Sequence, residues 1–238
     1  MTTIENQLYK IQQRIAQACA AARRPVDSVR LLAVSKTFGA EAVREAALAG
    51  QASFGENYIQ EGVEKIAAVA AMGLGRQLQW HCIGPIQSNK TRLVAEHFGW
   101  VQTVDRLKIA QRLSEQRPEH LPPLQVCIQV NADGGPTKSG VAPGEVLALA
   151  LAIAQLPRLA LRGIMSIPDD GPDHAAQLAA HLKAREVFEA LKASGLPGAE
   201  RLDTLSMGMT GDLEAAIAAG STMVRVGSGI FGARHYPA

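Results

Sequence analysis

Lys36 closes the apolar run Leu31-Leu32-Ala33-Val34-Ser35, so a short strand-like segment ends in an amine. Side chains alternate along a strand, which puts Lys36 on the face of Leu32 and Val34 and aims it into the interior of a closed sheet. Burial there disfavours the charged form of a lysine and leaves neutral amine able to attack a carbonyl and form a Schiff base. A lysine that snorkels from the strand end into solvent satisfies the same local pattern, so the amine must be read together with other groups.

Those groups lie near the end of the chain. Ser206-Met207-Gly208-Met209-Thr210 brings a hydroxyl and an unhindered glycine backbone to the start of a helix, the ingredients for holding an anion, with Asp212 partly opposing it. Met223-Val224-Arg225-Val226-Gly227-Ser228-Gly229 alternates so that Arg225 and Gly227 face inward, and Ser228 with the glycine amides completes a phosphate cup. As isolated loops, both segments also read as ordinary turns. Gly227-Ser228-Gly229-Ile230-Phe231-Gly232 satisfies G-x-G-x-x-G, but only six residues come after it, too few for the helix, strand and ribose-binding acid of a dinucleotide site. Asn57, after Gly55-Glu56, is placed to bond a ring hydroxyl, whereas His81 is equally compatible with a satisfied core position. Gln87 to Arg92 reads as a solvated helix start and receives no role.

A lysine for an aldehyde, an anion site for a phosphate and a cation for a ring nitrogen together describe pyridoxal 5′-phosphate. Arg225 sets the chemistry of that ring: a permanently charged guanidinium donates a hydrogen bond and leaves the nitrogen unprotonated, which makes a weak electron sink.

The elements that must position these residues alternate regularly. Thr2-x-x-Glu5 has capping-box spacing, and Ile4, Leu8, Ile11 and Ile15 recur at helical intervals, so the chain opens with an amphipathic helix ending near Ala22. Strands are expected at 31–35, 52–55, 78–83, 100–104, 124–130, 161–167, 202–206 and 223–226. Helices are expected at 41–49, 59–72, 89–97, 107–116, 144–156, 173–194 and 211–219. Gly50, Gly99, Gly195 and Gly220 stand where left-handed helix caps are needed. Eight βα units without a composition break predict an α/β fold, a single (β/α)8 TIM-type barrel over 1–238 with an extra N-terminal helix, 1–24, packed on it.

Composition agrees. Hydrophobic residues make up 47% and aromatic ones 4%, so the core is built from Ala, Leu, Val and Ile as α/β domains require. A formal charge of +2, spread along the chain, gives no footprint for nucleic acid or an anionic membrane. Three widely spaced cysteines and six histidines without ligand spacing predict reduced thiols, a cytoplasmic setting and no metal. No signal peptide is read at the amino terminus, and Val146 to Ala154, the longest apolar stretch, is too short to span a bilayer.

Ala33-Val34-Ser35-Lys36, Gly55-Glu56-Asn57-Tyr58-Ile59-Gln60, Trp80 to Lys90, Ser206-Met207-Gly208-Met209 and Arg225 to Gly232 together resemble, nearly end to end, the pyridoxal phosphate homeostasis protein family. The resemblance implies a barrel related to the amino-terminal domain of alanine racemase and a Schiff base at Lys36. It also implies contact from Arg225 to the ring nitrogen, phosphate held around Ser206, Met207, Gly227 and Ser228, and Asn57 near the ring. Gly229 stands where members often carry Ala, and Thr210-Gly211 varies the preceding loop. The family implies a non-catalytic carrier that buffers pyridoxal phosphate and supplies apoenzymes; the 238 residues leave no room for the racemase's β-rich second domain and its tyrosine base, so a monomer is expected. Two alternatives stay open: an amino-acid racemase or transaminase using Tyr58 or His81 as second base, and a lysine aldolase or other phosphosugar barrel enzyme that never binds the cofactor.

Overall fold

A computed structural model describes residues 3–75, 77–135, 138–169 and 171–232. Eight parallel strands close a barrel in sequence order: β1 (Arg30–Val34), β2 (Ser53–Glu56), β3 (Gln79–Cys82), β4 (Trp100–Val104), β5 (Leu124–Val130), β6 (Leu159–Ser166), β7 (Thr204–Ser206) and β8 (Met223–Val226). Closure is made by β1 against β8, with Leu32 beside Arg225 and Ala33 beside Val226. The helices are α1 (Ile4–Ala21), α2 (Ala40–Leu48), α3 (Ile59–Ala71), α4 (Thr91–His97), α5 (Leu107–Gln116), α6 (Val146–Ala154), α7 (His174–Lys192), α8 (Leu213–Ala218) and α9 (Ser228–Phe231). The expected TIM-type barrel is therefore the observed one.

Two local expectations are corrected and one element is added. Thr2 lies outside the described residues, and the helix cap is Thr3, whose hydroxyl accepts from the Asn6 amide. Gly50, Gly195 and Gly220 have positive φ as expected, but Gly99 does not; α4 instead ends at Phe98 in extended backbone, and the Gly99 amide goes straight into the sheet by donating to the Trp80 carbonyl. The turn α9 is an addition to the expected elements, because four residues are too few to show a helical period.

Alternation along the strands builds two layers. Outward residues such as Ala33, Phe54, Val101 and Val126 meet the apolar faces of the helices in one continuous core, while Trp100, Cys127 and Met165 form a small cluster inside the barrel. At the strand N-terminal ends the Trp100 ring stacks on His81 at 4.9 Å, with the guanidinium groups of Arg30 and Arg162 5.5 and 5.3 Å from its centroid. This plug fills the lower barrel, and the cavity lined by Lys36 and Arg225 lies at the opposite end.

Helix α1 covers α8 and α9. Leu8, Ile11 and Ile15 are fully buried at one helical face, each worth roughly 1.5–3 kcal/mol of apolar transfer. Arg14 fixes the rotation of α1 by a bidentate bond to Glu214, at 2.8 and 2.9 Å, and by donating to the Thr210 carbonyl. The first helix thereby touches the loop after β7.

Candidate functional site

The open end is the C-terminal end of the strands, the face on which barrels of this class carry their sites. A cavity of about 420 Å³ lies there, lined by Val34 and Lys36 from β1, Asn57 after β2, Ile83 after β3, Ile167 after β6, and Met209 to Asp212 after β7. Arg225, Gly227 and Ser228 line it from the end of β8, and Phe38, Gln177 and Gly232 complete the wall. Its volume falls within the range of small-molecule sites, and its mixed lining of aliphatic side chains with few convergent polar groups has the usual character of one.

Lys36 comes directly after β1 and is half-buried, with its side chain on the cavity wall. Across the barrel Arg225 is 4% exposed, and its guanidinium is anchored twice, donating to the Ser206 hydroxyl at 2.8 Å and the Ser166 carbonyl at 2.9 Å. Burial lowers its pKa to about 10, which leaves it protonated at neutral pH.

The anchoring continues downward as one directional chain. Ser206 donates to Gln102 Oε1 at 2.7 Å, and Gln102 Nε2 lies 3.0 Å from His81 Nδ1. Since the amide nitrogen can only donate, Nδ1 must accept, so His81 is neutral with its proton on Nε2. Burial, helped by Arg30, pushes the His81 pKa down to about 3, in agreement with that assignment. The orientation of a guanidinium at the cavity floor is thus set by a line of polar side chains through the barrel.

The loops after β7 and β8 meet at Thr210, whose Oγ1 lies 3.4 Å from Ser228 Oγ and accepts from the Gly229 amide at 3.4 Å. Glycine is required at position 208, where φ is 94° and a Cβ would lie 2.4 Å from Ala216 Cβ. Asp212 is held beneath. Its Oδ2 pairs with His181 Nε2 at 2.9 Å and its Oδ1 accepts from the Met209 amide at 2.5 Å. Burial raises the Asp212 pKa, but these bonds and the charges of His181 and Arg225 outweigh it, so the carboxyl stays below the ordinary range. On the other side, the Asn57 carbonyl occupies space 2.1 Å from where a Cβ on Gly84 would stand, so Gly84 permits the Asn57 turn.

Five of the residues singled out in the sequence therefore share one cavity: Lys36, Asn57, Arg225, Gly227 and Ser228. Ser206 and Met207 do not line it. Ser206 is fully buried and engaged by Arg225 and Gln102, and Met207 is buried in the layer beneath the helices. A hydroxyl at the last strand residue is covered by the loop above it, so the cavity-lining hydroxyl from this loop is Thr210, four residues on. Sequence reasoning misses Gln102 and Thr210 as site residues: Gln102 has an ordinary strand context, and Thr210 reads only as loop. Tyr58 is 58% exposed at the start of α3, and His81 is fully buried in the barrel floor; neither lines the cavity. Among the described lining residues, the titratable ones are Lys36, Asp212 and Arg225. No group of metal ligands occurs among the described residues, no described helix is long and apolar enough to cross a membrane, and Cys19, Cys82 and Cys127 are free and buried.

Residues 7–235 match the family model described as "Alanine racemase, N-terminal domain". Curated relatives named pyridoxal phosphate homeostasis protein include that of Pseudomonas aeruginosa, 56% identical over 238 residues covering 100% of this chain and 99% of the relative. That of Vibrio cholerae is 55% identical over 236 residues, covering 99% and 98%. Among solved structures, PipY of Synechococcus elongatus with PLP bound superposes with a TM-score of 0.78 at 38% identity, covering 92% of this chain and all of PipY. Alanine racemase from Corynebacterium glutamicum, 17% identical with a TM-score of 0.69, covers 98% of this chain and is itself covered over 61%, which shows the shared barrel alone. By family model, full-length identity and fold, the chain belongs to the pyridoxal phosphate homeostasis protein family, built on the N-terminal domain of alanine racemase.

Proposed function

We propose that this chain binds pyridoxal 5′-phosphate in the cavity at the strand C-terminal ends, and that it holds and hands over the cofactor. The observation that carries this reading is the convergence of Lys36, Asn57, Arg225, Gly227 and Ser228 on one cavity large enough for a substituted pyridine with a phosphate. Bound there, the cofactor would supply an aldehyde, with which the Lys36 amine would condense to a Schiff base with loss of water. Arg225, braced by Ser206 and Ser166, donates toward the pyridine nitrogen; Asn57 lies beside the ring; Gly227 and Ser228, with Thr210, receive the phosphate. Ser206 serves through Arg225, and Met207 by packing.

Carrier rather than catalyst is favoured by the lining. Chemistry at the α-carbon of an amino acid needs a second group to move a proton. Arg225 remains protonated, and Asp212 is tied to His181 and the Met209 amide. The family name is consistent with such a role, in which a monomer in the cytoplasm limits free aldehyde and supplies apoenzymes.

The test is the visible absorption spectrum of the purified protein with and without added cofactor. A Schiff-base band that borohydride fixes, and that Lys36→Ala lacks, supports the reading; no band with excess cofactor overturns it. Turnover of any amino acid by the loaded protein would overturn the carrier half alone.

A further inference from the structure

We propose that Lys65, Glu61 and Glu56 form a positioning device for Lys36, clamping the backbone on both sides of it from behind the barrel wall. The proposal rests on the reading of Lys36 above.

Strand alternation separates the two sides. Lys36 faces the cavity, so Ser35 before it faces outward, as Glu56 does at the end of β2. Into this outer layer α3 sends Lys65, which is 5% exposed. Its ammonium donates to the Ser35 carbonyl at 2.8 Å, Glu56 Oε1 at 2.7 Å and Glu61 Oε1 at 2.9 Å, which satisfies all three of its protons. Ser35 is gripped a second time, its hydroxyl donating to Glu56 Oε1 at 2.6 Å. Glu61 Oε1 reaches past Lys36 and accepts from the Thr37 amide at 2.7 Å.

The residues flanking Lys36 are thus bound to one buried ammonium and its two carboxylates. Thr37 has φ 68°, a left-handed conformation that a β-branched residue adopts only when its surroundings impose it. The bond from its amide to Glu61 is such an imposition, and it fixes the exit of the chain immediately after Lys36. A lysine has a long flexible stem, so its amine is delivered reproducibly only if its Cα–Cβ direction is set by the backbone.

Stability alone gives this ionic cluster little reason to exist. Taking an ammonium and a carboxylate out of water costs about as much as their attraction returns, and packed apolar residues of similar size serve as well. Glu56 bears that cost visibly: burial raises its pKa despite the pull of Lys65 and Ser35, and its Oε2 has no partner among the described residues. What apolar residues cannot do is accept the Thr37 amide and donate to the Ser35 carbonyl at once.

The informative variant is Glu61→Ala, since Glu61 is half-exposed and outside the cavity lining. Three measurements separate positioning from general damage. Mixing with pyridoxal phosphate reads the rate at which the Schiff-base band grows. Affinity for pyridoxine 5′-phosphate, which lacks the aldehyde, reads the ring and phosphate contacts alone. Hydrogen exchange at the Thr37 amide in cofactor-free protein reads the clamp directly.

The expected result is a rate lowered on the order of ten- to a hundredfold, the scale set by misplacing a reacting group. Pyridoxine phosphate affinity should stay at the wild-type value, and Thr37 should lose protection. Glu61→Gln, which keeps an acceptor for the Thr37 amide, should recover most of the rate. Lys65→Met should show the same split if it folds; the Glu61 variants decide the matter either way. An unchanged rate in Glu61→Ala, a parallel fall in pyridoxine phosphate affinity, or a Glu61→Gln as slow as Glu61→Ala overturns the proposal. Wild-type protein that binds pyridoxine phosphate yet never develops the band overturns the Lys36 reading itself, and the proposal with it.

Discussion

Acidifying this protein should remove stability through His81, and the size of the loss is set by its burial. His81 is neutral because Gln102 needs Nδ1 as an acceptor and because the barrel interior penalises an imidazolium; its pKa of about 3 compares with an ordinary 6.5. A group depressed in the folded state contributes stability that is fully present above its unfolded pKa and is lost as pH falls through the folded one. The window here runs from about pH 6.5 down to about pH 3. Between about pH 7 and about pH 4.5 the unfolded chain binds nearly one proton at this site and the native chain almost none, a loss of roughly 2.5 kcal/mol. His81→Asn keeps an acceptor for Gln102 but cannot titrate, so it should be less stable at neutral pH for want of the Trp100 stack, by about 1–3 kcal/mol, yet flatter with pH. Urea unfolding followed by tryptophan fluorescence at several pH values gives both curves. Parallel curves across that acid range would refute the neutral assignment, and with it the direction of the chain from Arg225 to Gln102.

Three other perturbations read different parts of the site. Gly84→Ala drives a methyl into the Asn57 carbonyl and should cost about 1–3 kcal/mol in denaturant stability, with weaker cofactor binding, because the Asn57 turn must move. Asp212→Asn removes the anionic partner of His181; since Asp212 is held below the ordinary carboxylate range, its stabilisation is present above about pH 4 and lost as pH falls further, so the variant should differ from wild type at neutral pH and converge with it in strong acid. Arg225→Met takes the charged donor from Ser206 and Ser166 and should weaken pyridoxine phosphate binding on the order of tenfold or more, measured by calorimetry; unchanged affinity would mean that Arg225 does not meet the ring.

The barrel is legible because each strand is a short apolar run leading into a helical period, a signal that local sequence carries in full. Lys36, Arg225 and Gly227 are legible for the same reason: period-two alternation places them inward without reference to anything distant. Gly99 misleads because a glycine after a helix fits either a left-handed cap or a direct entry into a strand, and pairing with Trp80 decides between them. The place of Ser206 is not legible, because being next to a glycine loop in sequence does not say which hydroxyl ends above the strand and which beneath it. The Lys65 cluster and the line from His81 to Arg225 are illegible, since each joins residues on different elements through contacts that only closure of the barrel creates.

The closure of β1 on β8, and of α1 on α8 and α9, has a consequence for how the chain comes to be folded. Arg30–Val34 is an exposed strand edge, and Leu8, Ile11 and Ile15 an exposed greasy stripe, until Met223–Val226 and Leu213–Ala218 have been made, some two hundred residues later. Contacts of such sequence separation are slow to form, and an open parallel edge recruits other chains while it waits. Synthesis interrupted before β8 should thus yield a sticky intermediate, whereas the finished protein, with its ends locked to each other, should unfold only as a whole.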